Sequence, residues 1–201
     1  MNDSDRILEI LKFWIGTLDA DGMPDPTRNK LWFQATADDD RIIEQTFGAD
    51  VNRAIAGALD HWSDTSEGLV ALILLLDQFP RNINRGTDAA FSGDERALMF
   101  ARAAVDKGLD RETPTIGRIF LYIPFEHAED LAAQQEGLAC FDQLLASCPE
   151  GARERVSGFR DYMVAHLEVI EKFGRFPHRN SILGRESTDA ELSHLELHGG
   201  F

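Results

Sequence analysis

Cysteine is scarce in this chain, with Cys140 and Cys148 the only two in 201 residues. Two thiols cannot staple a chain of this length. No Cys-x-x-Cys or mixed Cys/His zinc spacing occurs, so a disulfide framework and a structural zinc site are excluded and both thiols are expected to be reduced. Long apolar runs are also missing. The longest, LVALILLL at 69–76, falls well short of the roughly 20 residues that cross a bilayer, and reads as a buried core helix. Met1 is followed by Asn-Asp-Ser-Asp-Arg, which has neither secretory nor transit-peptide character, so a cytoplasmic, non-membrane protein is expected. Positive charge is in deficit: 20 Lys and Arg face 35 Asp and Glu, a net charge of -15. That balance argues against nucleic-acid binding, which needs clustered cations to release counterions. It leaves room for a local basic patch that captures a small anion, because field focusing depends on nearby charge. A P-loop, a dinucleotide-binding glycine fingerprint, a nucleophile elbow and His-Glu-x-x-His are all absent. The common enzyme signatures are thereby excluded, though unfamiliar chemistry is not, and neither a cofactor nor a metal is expected.

What is present has helical period almost throughout. Ile7, Leu8, Ile10, Leu11, Trp14 and Ile15 make one apolar face, closed by Gly16. Ile43, Phe47, Val51, Ile55, Leu59 and Trp62 make a second stripe from about Asp38. A third helix is predicted from Asp64 through the apolar octet to Phe79, ended by Pro80. Because its apolar residues cover all sides, it should be the most buried. Further helices are predicted at 93–107, 115–123, 125–147 and 150–173, and a short last one from Thr188, with Glu191 at the capping-box offset. No stretch shows strand alternation, so the chain is expected to be all-α, a single domain over 1–201 whose short connections favour antiparallel neighbours.

Three polar clusters fall at helix ends. Asp77, Gln78, Arg81 and Asn82 leave the most apolar helix, either as an end-of-helix salt bridge and cap or as groups delivered into a dry pocket. Glu126, His127, Glu129 and Asp130 form the second. With Pro124 in a first helical turn, Glu126 and Asp130 would stand one turn apart on one face. Carboxylates beside a His can do acid–base work or hold a hard cation, yet the spacing is no known metal signature and a solvated surface explains it as well. The third cluster follows the seam Phe159, Met163, His166, Ile170 and Phe173, which turns His166 inward as a core residue or a ligand. Gly174 suits the left-handed helix stop. The stretch KFGRFPHRNSILGRES at 172–187 then brings Arg175, His178, Arg179, Asn180 and Arg185 after a Phe176-Pro177 anchor. Held guanidinium forks are what planar anions require. The strings DQFPRN at 77–82 and GRFPHRN at 174–180 echo each other, too briefly to mark a duplication.

The strings LLLDQFPRN, FLYIPFEHAED and HLEVIEKFGRFPHRNSILGRESTDAE, with the opening ILEILKFWIG, resemble the bacterial domain-of-unknown-function family numbered 924 over roughly residues 5–196. The resemblance implies a helical array similar to tetratricopeptide repeats, makes the basic turn a family hallmark, and supplies no reaction. Two departures stand out. Ile15 replaces the second Phe of the family's Phe-Trp-Phe-Gly, which keeps the position apolar. Asn84 stands where an aromatic often precedes the Arg, which would wet or widen a pocket there.

Three functions compete. The first is a helical scaffold that grips a partner protein or peptide in a groove lined by these Arg, His and Glu residues. The second is a pocket for a small anionic molecule, clamped by Arg81, Arg175 and Arg179 with Glu126 or His127 as acid or base. The third is a metal-assisted hydrolase using Glu126, Glu129, Asp130 and a His. The second and third require Arg81, Glu126 and Arg179 to converge in space, with carboxylates within reach of the buried cations.

Overall fold

The computed structural model describes residues 2–200, and among them it contains helices and no β-strand; Leu18 and Pro24 make an isolated bridge. Helix α1 (Asp3–Trp14) is capped by the Asn2 side chain, which accepts from the Asp5 N–H, and it buries Ile7, Ile10 and Trp14. Leu8 alone of the predicted apolar face turns out to solvent, 60% exposed. Gly16 at φ 85° reverses the chain. Helix α2 (Arg28–Phe33), which the periodicity did not reveal, buries none of its residues. Helix α3 (Ala37–Ile55) opens with a Thr36–Asp39 capping box. The predicted stripe to Trp62 is broken after Ile55, because Gly57 adopts φ 82° and Trp62 is buried from a separate 3-10 turn, Asp60–Asp64.

The apolar octet lies where burial demands. Helix α4 (Ser66–Ile73) starts one residue later than predicted, at the Thr65 cap, and Leu69 to Leu76 are at most 3% exposed. Pro80 does not end this helix. The backbone widens into a π turn at Leu74–Gln78 and runs on as α5 (Phe79–Ile83). Proline has no N–H for the Leu76 carbonyl one turn back, and the wide turn absorbs the break. The Leu76 carbonyl lies so close to Gly93 that a Cβ there would come within 2.1 Å of its oxygen.

Helix α6 (Asp94–Lys107) ends at Gly108 in the left-handed conformation. Helix α7 (Thr115–Glu126) corrects the predicted boundary: Pro124 lies inside its last turn rather than opening the next helix. Helix α8 (Leu131–Ser147) starts only after a break at 127–130, with Asp130 as its cap. Helix α9 (Arg153–Phe173) ends at Gly174, φ 70°, and α10 (Asp189–His198) carries the predicted Thr188–Glu191 capping box. Helices α1, α3, α6 and α7 pack around the α4–α5 unit, and α7, α8 and α9 pack on one another in order. One hydrophobic cluster runs from Ile7 to Met163; a small second one, Val169, Ile170 and Phe176, seats the basic turn. No helix among the described residues is long and apolar enough to cross a membrane.

Candidate functional site

The irregular points of this helical array deliver polar side chains to one place. The π turn presents Asp77, fully buried, and α5 presents Arg81 one turn on. Asp77 Oδ1 is 2.7 Å from His127 Nδ1 and 3.3 Å from an Arg81 guanidinium nitrogen. Arg81 also forks onto both oxygens of Asp94, the first residue of α6, at 2.8 and 2.9 Å. Asp94 is 3.6 Å from Arg179, whose guanidinium carbon packs over the rings of Phe91 and Phe176, at 4.6 and 4.5 Å. Phe176 meets His166 edge-on at 5.4 Å, and His166 Nδ1 is 3.7 Å from Glu126 Oε1 and its ring 6.3 Å from that of His127. The contacts close into a circuit: Asp77, Arg81, Asp94, Arg179, Phe176, His166 and His127, with Glu126 against His166.

Electrostatics assigns a protonation state to most members. Burial pushes Asp77 up, but Arg81 and His127 override it and hold the carboxyl well below its ordinary value, so it is a carboxylate. A carboxylate only accepts, so His127 Nδ1 carries the proton and Nε2 keeps its lone pair. Burial, then the Arg81 charge, lowers His127 and keeps it neutral. Glu126 goes the other way. Desolvation and the nearby Asp77 carboxylate raise it to about 8, against a lesser pull from Arg81, so it is a neutral acid at pH 7. Burial takes His166 down to about 3, and its Nδ1–H donates to the Tyr162 carbonyl at 2.9 Å. Arg179 is lowered to about 10 by burial and the Arg81 charge, and stays a cation.

Two groups of the circuit are under-bonded. Glu126 and Arg179 side chains are 9% and 8% exposed, and neither Glu126 Oε2 nor Arg179 Nε has a hydrogen-bond partner. Buried polar atoms are bonded as a rule, so each calls for a partner. The circuit is most open where Arg81, Asp94 and His127 keep 20%, 19% and 15% of their side-chain surface.

Of the residues singled out by sequence, Asp77, Arg81, Glu126, His127, His166 and Arg179 come together, and Gln78 joins them by donating to Asp77 Oδ2. His178 lies at the margin, its ring 5.7 Å from Phe176 and its pKa taken down to about 4 by burial and the Arg179 charge. Four others lie elsewhere. Asn82 donates to Asp40 on α3, and Asn180 is held by Ser187 and Arg185. Arg175 is not part of a clamp with Arg81 and Arg179, because it forks onto Glu191 at 2.6 and 2.9 Å. Asp130 does not share a helix face with Glu126: it caps α8 through the Ala133 N–H, half exposed, while Glu126 ends α7. Glu129 is also structural, bonding Arg185 and the Phe176 N–H. Among the described residues no group of three His, Cys, Asp or Glu is placed to hold a metal ion. Sequence reasoning missed Asp94 and Phe91. The only available signal was an acid directly after Gly93, which any helix start would carry.

The fold and site define an α-helical array built around a buried acid–base and guanidinium circuit. The chain belongs to the family described as bacterial protein of unknown function (DUF924), whose match spans residues 10–199. It is similar to the solved structure of the protein of unknown function ATU0120 from Agrobacterium tumefaciens, at 34% identity and a TM-score of 0.82 over 98% of this chain and 99% of that one. No curated protein matches it.

Proposed function

We propose that the chain binds a small anionic molecule at the Arg179 edge of the circuit, where His127 and Glu126 supply a base and an acid. One observation carries this reading. Arg179 is a buried cation without its full complement of partners, since Asp94 commits both oxygens to Arg81 and stands 3.6 Å from Arg179, while Arg179 Nε is unbonded. A buried charge is tolerated when it is paired and hydrogen-bonded, and a carboxylate or phosphate oxygen at Nε completes that pairing. Phe91 and Phe176 hold the guanidinium carbon at 4.6 and 4.5 Å from their ring centroids, which fixes the fork that in-plane recognition of a planar anion requires. Beside it, Asp77 orients His127 as a neutral base and Glu126 is held as a neutral acid, so both proton-transfer states are present at pH 7. The burial of these groups favours a small molecule over the peptide or partner protein that the scaffold reading requires.

The test is thermal unfolding of the wild type and of Arg179→Met with inorganic phosphate, citrate and a nucleoside monophosphate at millimolar concentration. A bound anion raises the wild-type midpoint in a concentration-dependent way, and Arg179→Met removes the shift. A shift of equal size in Arg179→Met, or no shift in the wild type, refutes the reading.

A further inference from the structure

A second, unrelated cluster lies on the last helix. His194 and His198 stand one turn apart on α10, the spacing that puts two side chains on one helix face. Their rings are 4.8 Å apart between centroids, inclined at 38°. Two imidazole nitrogens at that separation can converge on one ion at the roughly 2.0–2.1 Å of a metal–imidazole bond. Phe173 packs edge-on against His194 at 5.1 Å and limits its rotation. Both residues line a half-open cavity of about 370 Å³, His194 partly buried and His198 exposed, together with His178, Glu168 and Lys172. Leu195 and Val169 give that cavity an apolar wall.

We propose that the His194–His198 pair is a bidentate binding site for one divalent first-row transition-metal ion. Imidazole pairs suit Cu2+, Ni2+ and Zn2+, whereas Ca2+ and Mg2+ require oxygen ligands. No three-ligand group exists among the described residues, so the chelate is open and water completes the coordination sphere within the cavity. The expected order of affinity places Cu2+ above Ni2+ and Zn2+. Neither imidazole belongs to the Asp77–Arg179 circuit, so this site stands or falls independently of the anion reading.

The experiment uses the full chain prepared without a histidine tag, titrated with CuCl2 against a competing chelator and followed by electron paramagnetic resonance. One Cu2+ per chain is expected, with nitrogen hyperfine structure from two imidazoles. His194→Ala and His198→Ala should each weaken binding by about 10-fold or more, and each should leave the hyperfine pattern of one imidazole. His61→Ala is the control, since His61 lies 2.7 Å from Asp3 and does not line this cavity. The circular-dichroism melt of each apo variant checks that it is folded. Wild-type affinity in both α10 variants, or a loss that follows His61→Ala instead, overturns the proposal.

Discussion

Replacing Glu126 by Gln should change how stability depends on pH, and the size of the change follows from the site. In the folded chain Glu126 is raised from 4.5 to about 8 by desolvation and by the neighbouring Asp77 carboxylate. A group whose folded pKa is raised contributes stability that is fully present below its unfolded pKa, here about 4.5, and lost as pH rises through about 8. At 1.36 kcal/mol per unit, ionisation of this carboxyl in the unfolded chain increasingly favours unfolding between pH 4.5 and about 8, because the dry site holds it protonated in the fold. Gln copies the shape of the neutral acid and cannot ionise. Relative to wild type, Glu126→Gln should therefore be more stable by about 1 kcal/mol at pH 5, about 3 at pH 7 and about 5 at pH 9. For a chain of this length the pH 7 difference corresponds to a midpoint shift of roughly 6–12 °C. Urea unfolding of both proteins between pH 5 and pH 9, followed by circular dichroism, measures it directly. Parallel stability curves across that range would show that Glu126 is ionised in the fold, and would remove the neutral acid from the site.

Two further substitutions probe the frame of the circuit. Asp77→Asn leaves the buried Arg81 with Asp94 alone and should cost about 2–4 kcal/mol at pH 7; because Asp77 is held below its ordinary value, the difference from wild type should shrink as pH falls below about 4 in acid-unfolding titrations. Gly93→Ala should cost about 2 kcal/mol or more in urea midpoint, since its Cβ would stand 2.1 Å from the Leu76 carbonyl oxygen and no flexible side chain can yield there.

Much of this architecture is legible in the sequence because its determinants are local. The octet at 69–76 needs no partner to declare itself buried, and Gly108, Gly174 and the Thr188–Glu191 box mark their helix ends by backbone chemistry alone. Pro124 was ambiguous, since the ring tolerates a first turn, and also a last turn whose preceding carbonyl is relieved otherwise. With Pro124 in the last turn, Glu126 lies at the buried end of α7 instead of an exposed first turn, and is separated from Asp130. Arg175 reads as part of a clamp from its basic sequence neighbours, while its actual partner is Glu191 on α10. Asp94 illustrates the limit most clearly: nothing within its own helix distinguishes an acid that complements a dipole from one that receives two guanidinium groups.

The circuit and the prolines share a cause. Three of its delivery points follow or span an aromatic–proline pair, Phe79-Pro80 before Arg81, Pro124-Phe125 before Glu126 and His127, and Phe176-Pro177 before Arg179, while Asp94 comes from the start of α6 and His166 from within α9. The aromatic member is buried to at least 99% in every case, so it fixes the segment to the core. The proline removes one backbone donor and prevents an ordinary helical turn from continuing unchanged. The result is a π turn at the first point, a helix end at the second and a 3-10 turn at the third. At such breaks side chains leave the helical spiral and can point along a helix end, toward one another. Regular helices would have spread Asp77, Glu126 and Arg179 over the faces of separate cylinders. Rigid, anchored interruptions bring them to one buried place, and they do so at positions where the core tolerates little movement. That is the arrangement a preorganised site needs, and it accounts for an acidic chain retaining the buried Arg179 against two aromatic rings.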